Sequence, residues 1–240
     1  LHRHHRNPSA KRPDNSQWSD STDFACISYP AANCLPALKI FGMLQQNRSL
    51  CLASSSPRRR ELLTRFGLDF LVQSPDTDES VRSHESPEAF VTRIALEKAQ
   101  QVAPDHPERI TLAGDTVVVL DQKILGKPMD RADSVRMLEQ LSGKTHEVFT
   151  AYALLDGISG PCVRELVRTR VSFRSLTSEL IQTYVQTGET DDKAGAYSIQ
   201  GLGTMLVAAI EGSYTNVVGF PVERILDEMM RRGWLSCKPS

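Results

Sequence analysis

Leu50-Cys51-Leu52-Ala53-Ser54-Ser55-Ser56-Pro57-Arg58-Arg59-Arg60-Glu61-Leu62-Leu63 is the stretch around which the chain is organised. Four apolar residues, Leu50 to Ala53, read as a buried strand. Three serines turn the chain, and Pro57 stands where the first turn of a helix begins. Proline suits that place because its fixed φ is already helical and its missing N–H would have had no partner there. The product is a strand, a tight polar turn and a helix N-terminus carrying three arginines. Free N–H groups and the positive end of the helix dipole attract anions. Three cations in the same turn oppose that dipole and cost the helix stability unless an anion sits among them. A polyphosphate has the charge to do so. Ser-rich turns and arginine-bearing faces are also ordinary surface features, so this stretch alone leaves phosphate binding and a solvated face both open.

At 240 residues the chain has the length of one domain, with or without a tail, and can bury a full core. Charged residues make up 24% and hydrophobic residues 40%, the balance of a globular protein in water. A formal net charge of -1 gives no global field to recruit nucleic acid or an anionic membrane, so any anion binding has to be local. No apolar run approaches the roughly 20 residues needed to span a bilayer. Cys26, Cys34, Cys51, Cys162 and Cys237 are odd in number and include no C-x-x-C pair. That argues against a disulfide framework or a zinc knuckle and fits a reducing compartment. The expectation is a soluble, cytoplasmic protein with no membrane partner and no stable nucleic-acid partner.

Residues 1–42 differ from the rest. They begin without methionine, carry His2, His4 and His5 among arginines, and scatter Pro, Ser, Asn and Asp without periodicity. Irregular spacing argues against a histidine metal site. Asp14, Asp20 and Asp23 fit poorly with the acid-poor composition of a transit peptide, and no secretory apolar core is present. The expectation is a disordered or loosely attached extension over 1–42 and a folded domain over 43–240.

Within that domain, Gly67 follows a helix from Pro57 to Phe66, and Asp69 to Val72 reads as a second strand. The strand runs into the acidic turn Ser74-Pro75-Asp76-Thr77-Asp78-Glu79. Ser86-Pro87-Glu88 supplies an N-cap, a proline at N1 and a first-turn acid for a helix running through Ile94 and Lys98 to Val102. Ile110 to Leu120 is β-branched and almost continuously apolar, as a central strand covered on both faces would be. Gly114-Asp115-Thr116 interrupts it, which predicts a bulge or the close approach of a ligand. Asp130 caps a helix from Arg131 to Leu141. His146 to Leu155 and Val163 to Phe173 read as antiparallel strands. Thr177 caps the next helix, and Lys193 to Gly203 is a glycine-rich loop. Met205 to Ile210 and Tyr214 to Val218 predict a hairpin about Glu211-Gly212-Ser213, and Pro221 starts the last helix. Strands and helices alternate, which gives an α/β class with a mixed sheet.

Three groups of residues fall at predicted strand ends and turns. Arg58, Arg59, Lys98 and Lys127 are cationic, Asp78, Glu79 and Asp115 are acidic, and Ser198 and Gln200 sit in the glycine loop. Cations neutralise polyphosphate charge, and carboxylates hold a hard divalent ion that prefers oxygen ligands. A carboxylate also accepts a proton from an attacking water. Together they suit metal-assisted phosphoanhydride hydrolysis. Asp78, Glu79, Lys98 and Lys127 read equally well as solvated surface. Asp115 does not, because a carboxylate in an apolar strand needs a partner or a strand end. There is no G-x-G-x-x-G and no G-K-[ST]. Composition and spacing lead to an anion-binding α/β protein, with a metal-dependent hydrolase as one form of it.

The order of the motifs adds to this. Leu52-Ala53-Ser54-x-Ser56-Pro57-Arg58-Arg59-x-Glu61-Leu62-Leu63 resembles the opening signature of the Maf family of nucleotide pyrophosphatases. The resemblance continues through Asp78-Glu79, Glu97-Lys98-Ala99, Gly114-Asp115-Thr116, Gly126-Lys127-Pro128 and Leu141-Ser142-Gly143. It ends in Lys193-Ala194-Gly195-Ala196-Tyr197-x-Ile199-Gln200-Gly201 and Val218-Gly219-x-Pro221, leaving only the N-terminal segment uncovered. It implies a Maf/ITPase-like fold, with an elongated, twisted mixed sheet flanked by helices and a cleft between two lobes, as a homodimer. It implies hydrolysis of nucleoside triphosphates to monophosphate and pyrophosphate with a divalent cation, Mg2+ or Mn2+. On this resemblance Asp115 is the proton acceptor, and Glu79 with Asp115 places the metal. Ser54, Arg59, Lys98 and Lys127 bind phosphate, while Arg58, Thr116 and Gln200 match positions linked to base selection. The form of the Gly-Asp-Thr and Ala-Tyr-x-Ile-Gln-Gly blocks resembles the branch acting on dTTP and UTP. A glutamine amide suits that branch, since its donor and acceptor match the O4 and N3–H edge of a uracil-type ring. Two rival readings stand beside it: an inosine- or xanthosine-triphosphate pyrophosphatase of similar architecture, and a non-enzymatic protein of septum formation or nucleic-acid binding.

Overall fold

The computed structural model describes residues 44–158, 160 and 162–238, so the segment 1–42 set apart by its composition lies outside the described residues. β1 (Leu44–Gln46) pairs antiparallel with β9 (Leu235–Cys237) as a small ribbon. The main sheet holds β2 (Leu50–Ala53), β3 (Phe70–Gln73), β4 (Ile110–Leu120), β5 (Lys123–Leu125), β6 (Thr145–Asp156), β7 (Cys162–Phe173) and β8 (Val207–Glu211). Its order among the described residues is β3-β2-β4-β6-β7-β8, with β5 beside β4. β2 runs parallel to both β3 and β4, and every other pairing is antiparallel. The sheet is mixed, as the alternation of elements predicts.

Pairing along β4 places the site. On one edge β6 accompanies β4 from Ile110 to Val119. On the other, β2 pairs only through Ala113, and β5 begins only at Val118. Residues 114–117 therefore have no strand beside them on that edge among the described residues. The gap opens where β2 ends and its chain turns through Ser54, and the carboxyl ends of strands in an α/β sheet are where ligands settle.

Helices cover both faces. α2 (Pro87–Val102) lays Phe90, Val91, Ile94 and Ala95 on Val117, Val119, Phe149 and Ala151. Farther along, its Ala99 and Val102 meet Cys51, Ala53, Ala113 and Ala153. The opposite face is the larger core. There α1 (Pro57–Arg65), α3 (Arg131–Leu141), α4 (Ser178–Gln186) and α6 (Val222–Arg231) bury Leu62, Leu138, Tyr184 and Ile225 against Leu52, Leu112 and Tyr152. Side chains alternate across a strand, so Ala113, Asp115 and Val117 face α2 while Thr116 faces α1. Three caps follow the sequence: Ser86 accepts from Ala89 N, Asp130 from Asp133 N and Thr177 from Leu180 N.

Two expectations are corrected. Tyr214–Val218 is a short helix, α5, and not the second arm of a hairpin. Its β-branched composition reads as strand, but Ser213 caps it by accepting from Asn216 N, and fully buried Asn216 donates to Val148 O and Thr169 Oγ1. β8 pairs instead with β7, Arg170 opposite Glu211. Tertiary hydrogen bonds override β propensity here. The second correction concerns Gly114. β4 carries no bulge against β6; within the protein, a Cβ on Gly114 would lie 2.7 Å from Phe220 Cε2 and 3.0 Å from Ala151 O.

Candidate active site

A cavity of about 520 Å³ opens at the gap beside β4. Ser54, Arg58, Arg59, Glu79, Lys98, Asp115, Thr116, Lys127 and Gln200 all line it, brought together from six separate stretches of chain. Asp78 stands apart from this lining. Its carboxylate accepts from Ser80 N and Ser80 Oγ in a local turn.

Lys98 lies on the sheet-facing side of α2, one turn beyond Ile94, and its ammonium reaches the odd-numbered face of β4. Its Nζ donates to Asp115 Oδ1 at 2.8 Å and meets Glu79 Oε1 at 2.6 Å. Lys98 and Asp115 are both buried. Burial works against ionisation of Glu79, but the hydrogen bond and charge of Lys98, with the charges of Lys127 and Arg59, outweigh it and hold the carboxyl below its ordinary value. The loop that carries Glu79 is tied to α2 by Arg93, which donates to Glu85 Oε1 at 2.6 Å and to Ser80 O at 3.0 Å.

Arg59 is a clamp. Its Nε donates to Gly219 O at 2.9 Å, and Nη1 donates to Gly114 O at 2.7 Å and Ser54 Oγ at 3.4 Å. Nη2 donates to Thr116 Oγ1 at 3.1 Å. Four of the five guanidinium N–H groups are thereby engaged. Burial pushes the guanidinium below its ordinary value, with the charge of Asp115 opposing the shift. Thr116 is similarly tied down, its hydroxyl meeting Thr150 Oγ1 at 3.0 Å and Gly219 O at 3.2 Å.

Two features face the open cavity. Ser56 makes no side-chain cap on α1, and the first turn of that helix holds no acid, so its N–H groups point out uncapped. Lys127 is exposed and also lines the cavity, and Gly126 O accepts from Gly195 N at 3.0 Å, tying the two loops together. The sequence reading missed Asp192, whose carboxylate receives Arg58 Nη1 at 3.4 Å and also contacts Lys193. Nothing in the spacing of the Asp191-Asp192 pair separates it from a solvated turn. Among charged lining residues, Arg58, Arg59, Lys98, Lys127 and Lys193 outnumber Glu79, Asp115 and Asp192, a local positive balance in a chain of net charge -1. Such a site attracts a polyanion.

No group of three or more His, Cys, Asp or Glu side chains gathers among the described residues, and no described helix is long and apolar enough to cross a membrane. Glu79 and Asp115 nevertheless converge on one cation, the Lys98 ammonium. Two carboxylates with substrate phosphate oxygens and water are a common donor set for a small divalent ion, so these residues fit one.

Known proteins are similar to this chain in sequence. A dTTP/UTP pyrophosphatase from Desulfotalea psychrophila is 46% identical over 188 residues, covering 78% of this chain and 96% of that one. One from Moorella thermoacetica is 51% identical over 176 residues, covering 73% and 91%. A solved HAM1 protein from Coxiella burnetii, at 20% identity and TM-score 0.37 over 52% of this chain and 73% of that one, is too loose a likeness to bear on function. The sequence also matches the family described as Maf-like protein over residues 49–232, the span whose motifs build the cavity. The chain belongs to the Maf family.

Proposed function

We propose that this chain hydrolyses dTTP and UTP to the monophosphate and pyrophosphate. The observation that carries the reading is the convergence of Ser54, Arg58, Arg59, Glu79, Lys98, Asp115, Thr116, Lys127 and Gln200 on one cationic cavity. Relatives that bear this name match 78% and 73% of the chain. In this reading the uncapped N-terminus of α1, with Ser54, Lys98, Lys127 and the remaining Arg59 N–H, receives the triphosphate. Arg58, Thr116 and Gln200 stand at the base end.

Asp115 is the proton acceptor, with Oδ1 held by Lys98 and Oδ2 left for the attacking water. The water oxygen attacks the α-phosphorus, and its proton passes to Asp115. The bond from the α-phosphorus to the bridging oxygen then breaks, and pyrophosphate leaves. Glu79 and Asp115 would hold a divalent cation, Mg2+ or Mn2+, which when bound neutralises phosphate charge. Lys98, bonded to both carboxylates, keeps them aimed at the cavity in its absence.

The same reading makes the chain a cytoplasmic homodimer; the near-zero net charge supports the lack of a nucleic-acid or membrane partner, and the free thiols of Cys51, Cys162 and Cys237 support a reducing compartment. Pyrophosphate release from a nucleotide panel with Mg2+ or Mn2+ tests it. Wild type should act on dTTP and UTP, and Asp115→Asn should lose at least about a hundredfold in kcat. Release from purine nucleotides alone would replace this reading with the inosine-triphosphate type, and no release with either metal would leave a phosphate-binding protein.

A further inference from the structure

Gln200 offers the base a carboxamide, and a carboxamide pairs with the O4 and N3–H edge of uracil. The six-membered ring of hypoxanthine presents the same edge, a carbonyl acceptor beside an N–H donor, on a larger base. The identity of Gln200 therefore cannot separate a uracil nucleotide from its purine mimic. Only the distance at which the loop holds Gln200 from the phosphate site can.

That loop is fixed from outside the cavity. Glu189, just beyond the C-terminus of α4, accepts from Leu202 N at 3.1 Å through Oε1 and from Gly203 N at 3.2 Å through Oε2. These are the second and third amides of the 3-10 turn Gly201–Leu206, of which Gln200 is the N-cap. The carboxylate lies so close that a Cβ on Gly201, itself at φ +64, would be 2.6 Å from Oε1. On the other side of Gln200, the buried Tyr184 hydroxyl of α4 accepts from Ser198 N at 3.1 Å. Gly203 makes room for this, since a Cβ there would lie 2.0 Å from Ser198 O and 2.7 Å from Tyr184 Oη. Glu189 is itself seated, its N donating to Thr187 Oγ1 at 3.2 Å. Neither Glu189 nor Tyr184 lines the cavity.

We propose that Glu189 is a positioning residue for base selection: its carboxylate locks the loop that carries Gln200, so the site takes the uracil edge on a pyrimidine and rejects the same edge on a purine. The proposal rests on the reading of Gln200 as the base-reading residue. Locking the loop before the nucleotide arrives removes an ordering cost from binding. Glu189→Gln keeps the size but offers one acceptor oxygen and turns an NH2 group against the second amide.

The test is kcat/KM for UTP and for ITP in wild type, Glu189→Gln, Gln200→Ala and the double variant, with thermal unfolding measured on each. The UTP-to-ITP ratio should fall about tenfold in Glu189→Gln, the size expected when one charge-assisted hydrogen bond is lost. The fall should come through KM for UTP, with kcat within about twofold. In the Gln200→Ala background the Glu189 change should alter the ratio no further, because it acts through Gln200. An unchanged ratio in Glu189→Gln beside a lowered one in Gln200→Ala overturns the proposal and leaves the role of Gln200 standing. An unchanged ratio in Gln200→Ala removes base reading by Gln200, and the proposal with it. Should Glu189→Gln fail to fold, Tyr184→Phe loosens the other side of the loop while keeping the ring, and a wild-type ratio there overturns the proposal equally.

Discussion

Lys98 Nζ lies 2.8 Å from Asp115 Oδ1, and the two come from a helix and a strand that meet face to face. Neither could be buried alone, because an unpaired charge in an apolar setting is expensive. With Glu79 as the third member at 2.6 Å, Lys98 is an internal cation where two carboxylates would otherwise repel. Lys98→Met should leave those carboxylates facing each other. We expect it to cost about 3 kcal/mol, lowering the melting temperature by roughly 6–12 °C, because one partner of a buried pair has been removed. Pyrophosphate release should fall with it. A variant that melts with wild type would show that the pair contributes nothing net to stability.

Arg59 gives a second prediction. Its planar fork spans Gly114 O on β4 and Gly219 O after α5, joining two segments far apart in sequence. Lysine keeps the charge and loses the fork. Arg59→Lys should leave one of these buried carbonyls without a donor and destabilise the fold by about 2 kcal/mol, read from urea unfolding. An unchanged midpoint would mean that solvent or the ammonium satisfies both carbonyls.

Those two residues also show what the sequence could reveal. Ser86, Asp130 and Thr177 were readable as caps because a cap is a bond between near neighbours in the chain. β4 was readable from end to end because burial on both faces demands an unbroken apolar run. The members of the site could be named from their motifs, yet their partners could not. Pairing Lys98 with Asp115, or Arg59 with Gly219, needs the path of the sheet and helices between them. The same reason hid α5, whose fate is settled by Asn216 reaching Val148 and Thr169. It also hid the ribbon of β1 and β9, three residues each, too short to carry a period. Glu189 left no signal, since an acid after a helix is ordinary until its two amides are seen.

His146 supplies a prediction in pH. The ring is buried between Phe173 and Tyr197, with centroids 5.0 and 5.4 Å away, and its Nε2 lies 2.8 Å from Tyr197 Oη. Burial lowers its pKa from 6.5 to about 4. Between those values the unfolded chain takes up a proton that the folded chain refuses, so stability is full above pH 6.5 and declines as the pH falls toward 4. The whole window is worth about 3 kcal/mol. Glu85, held down to about 2 chiefly by its hydrogen bonds from Arg93, titrates below 4.5, so measurements between pH 8 and 5 separate the two groups. His146→Phe should be less stable at pH 8, because the Tyr197 hydroxyl loses its partner, but its urea midpoint should change less from pH 8 to 5 than that of wild type. Parallel curves for the two proteins would place the pH sensitivity elsewhere and leave His146 as packing alone.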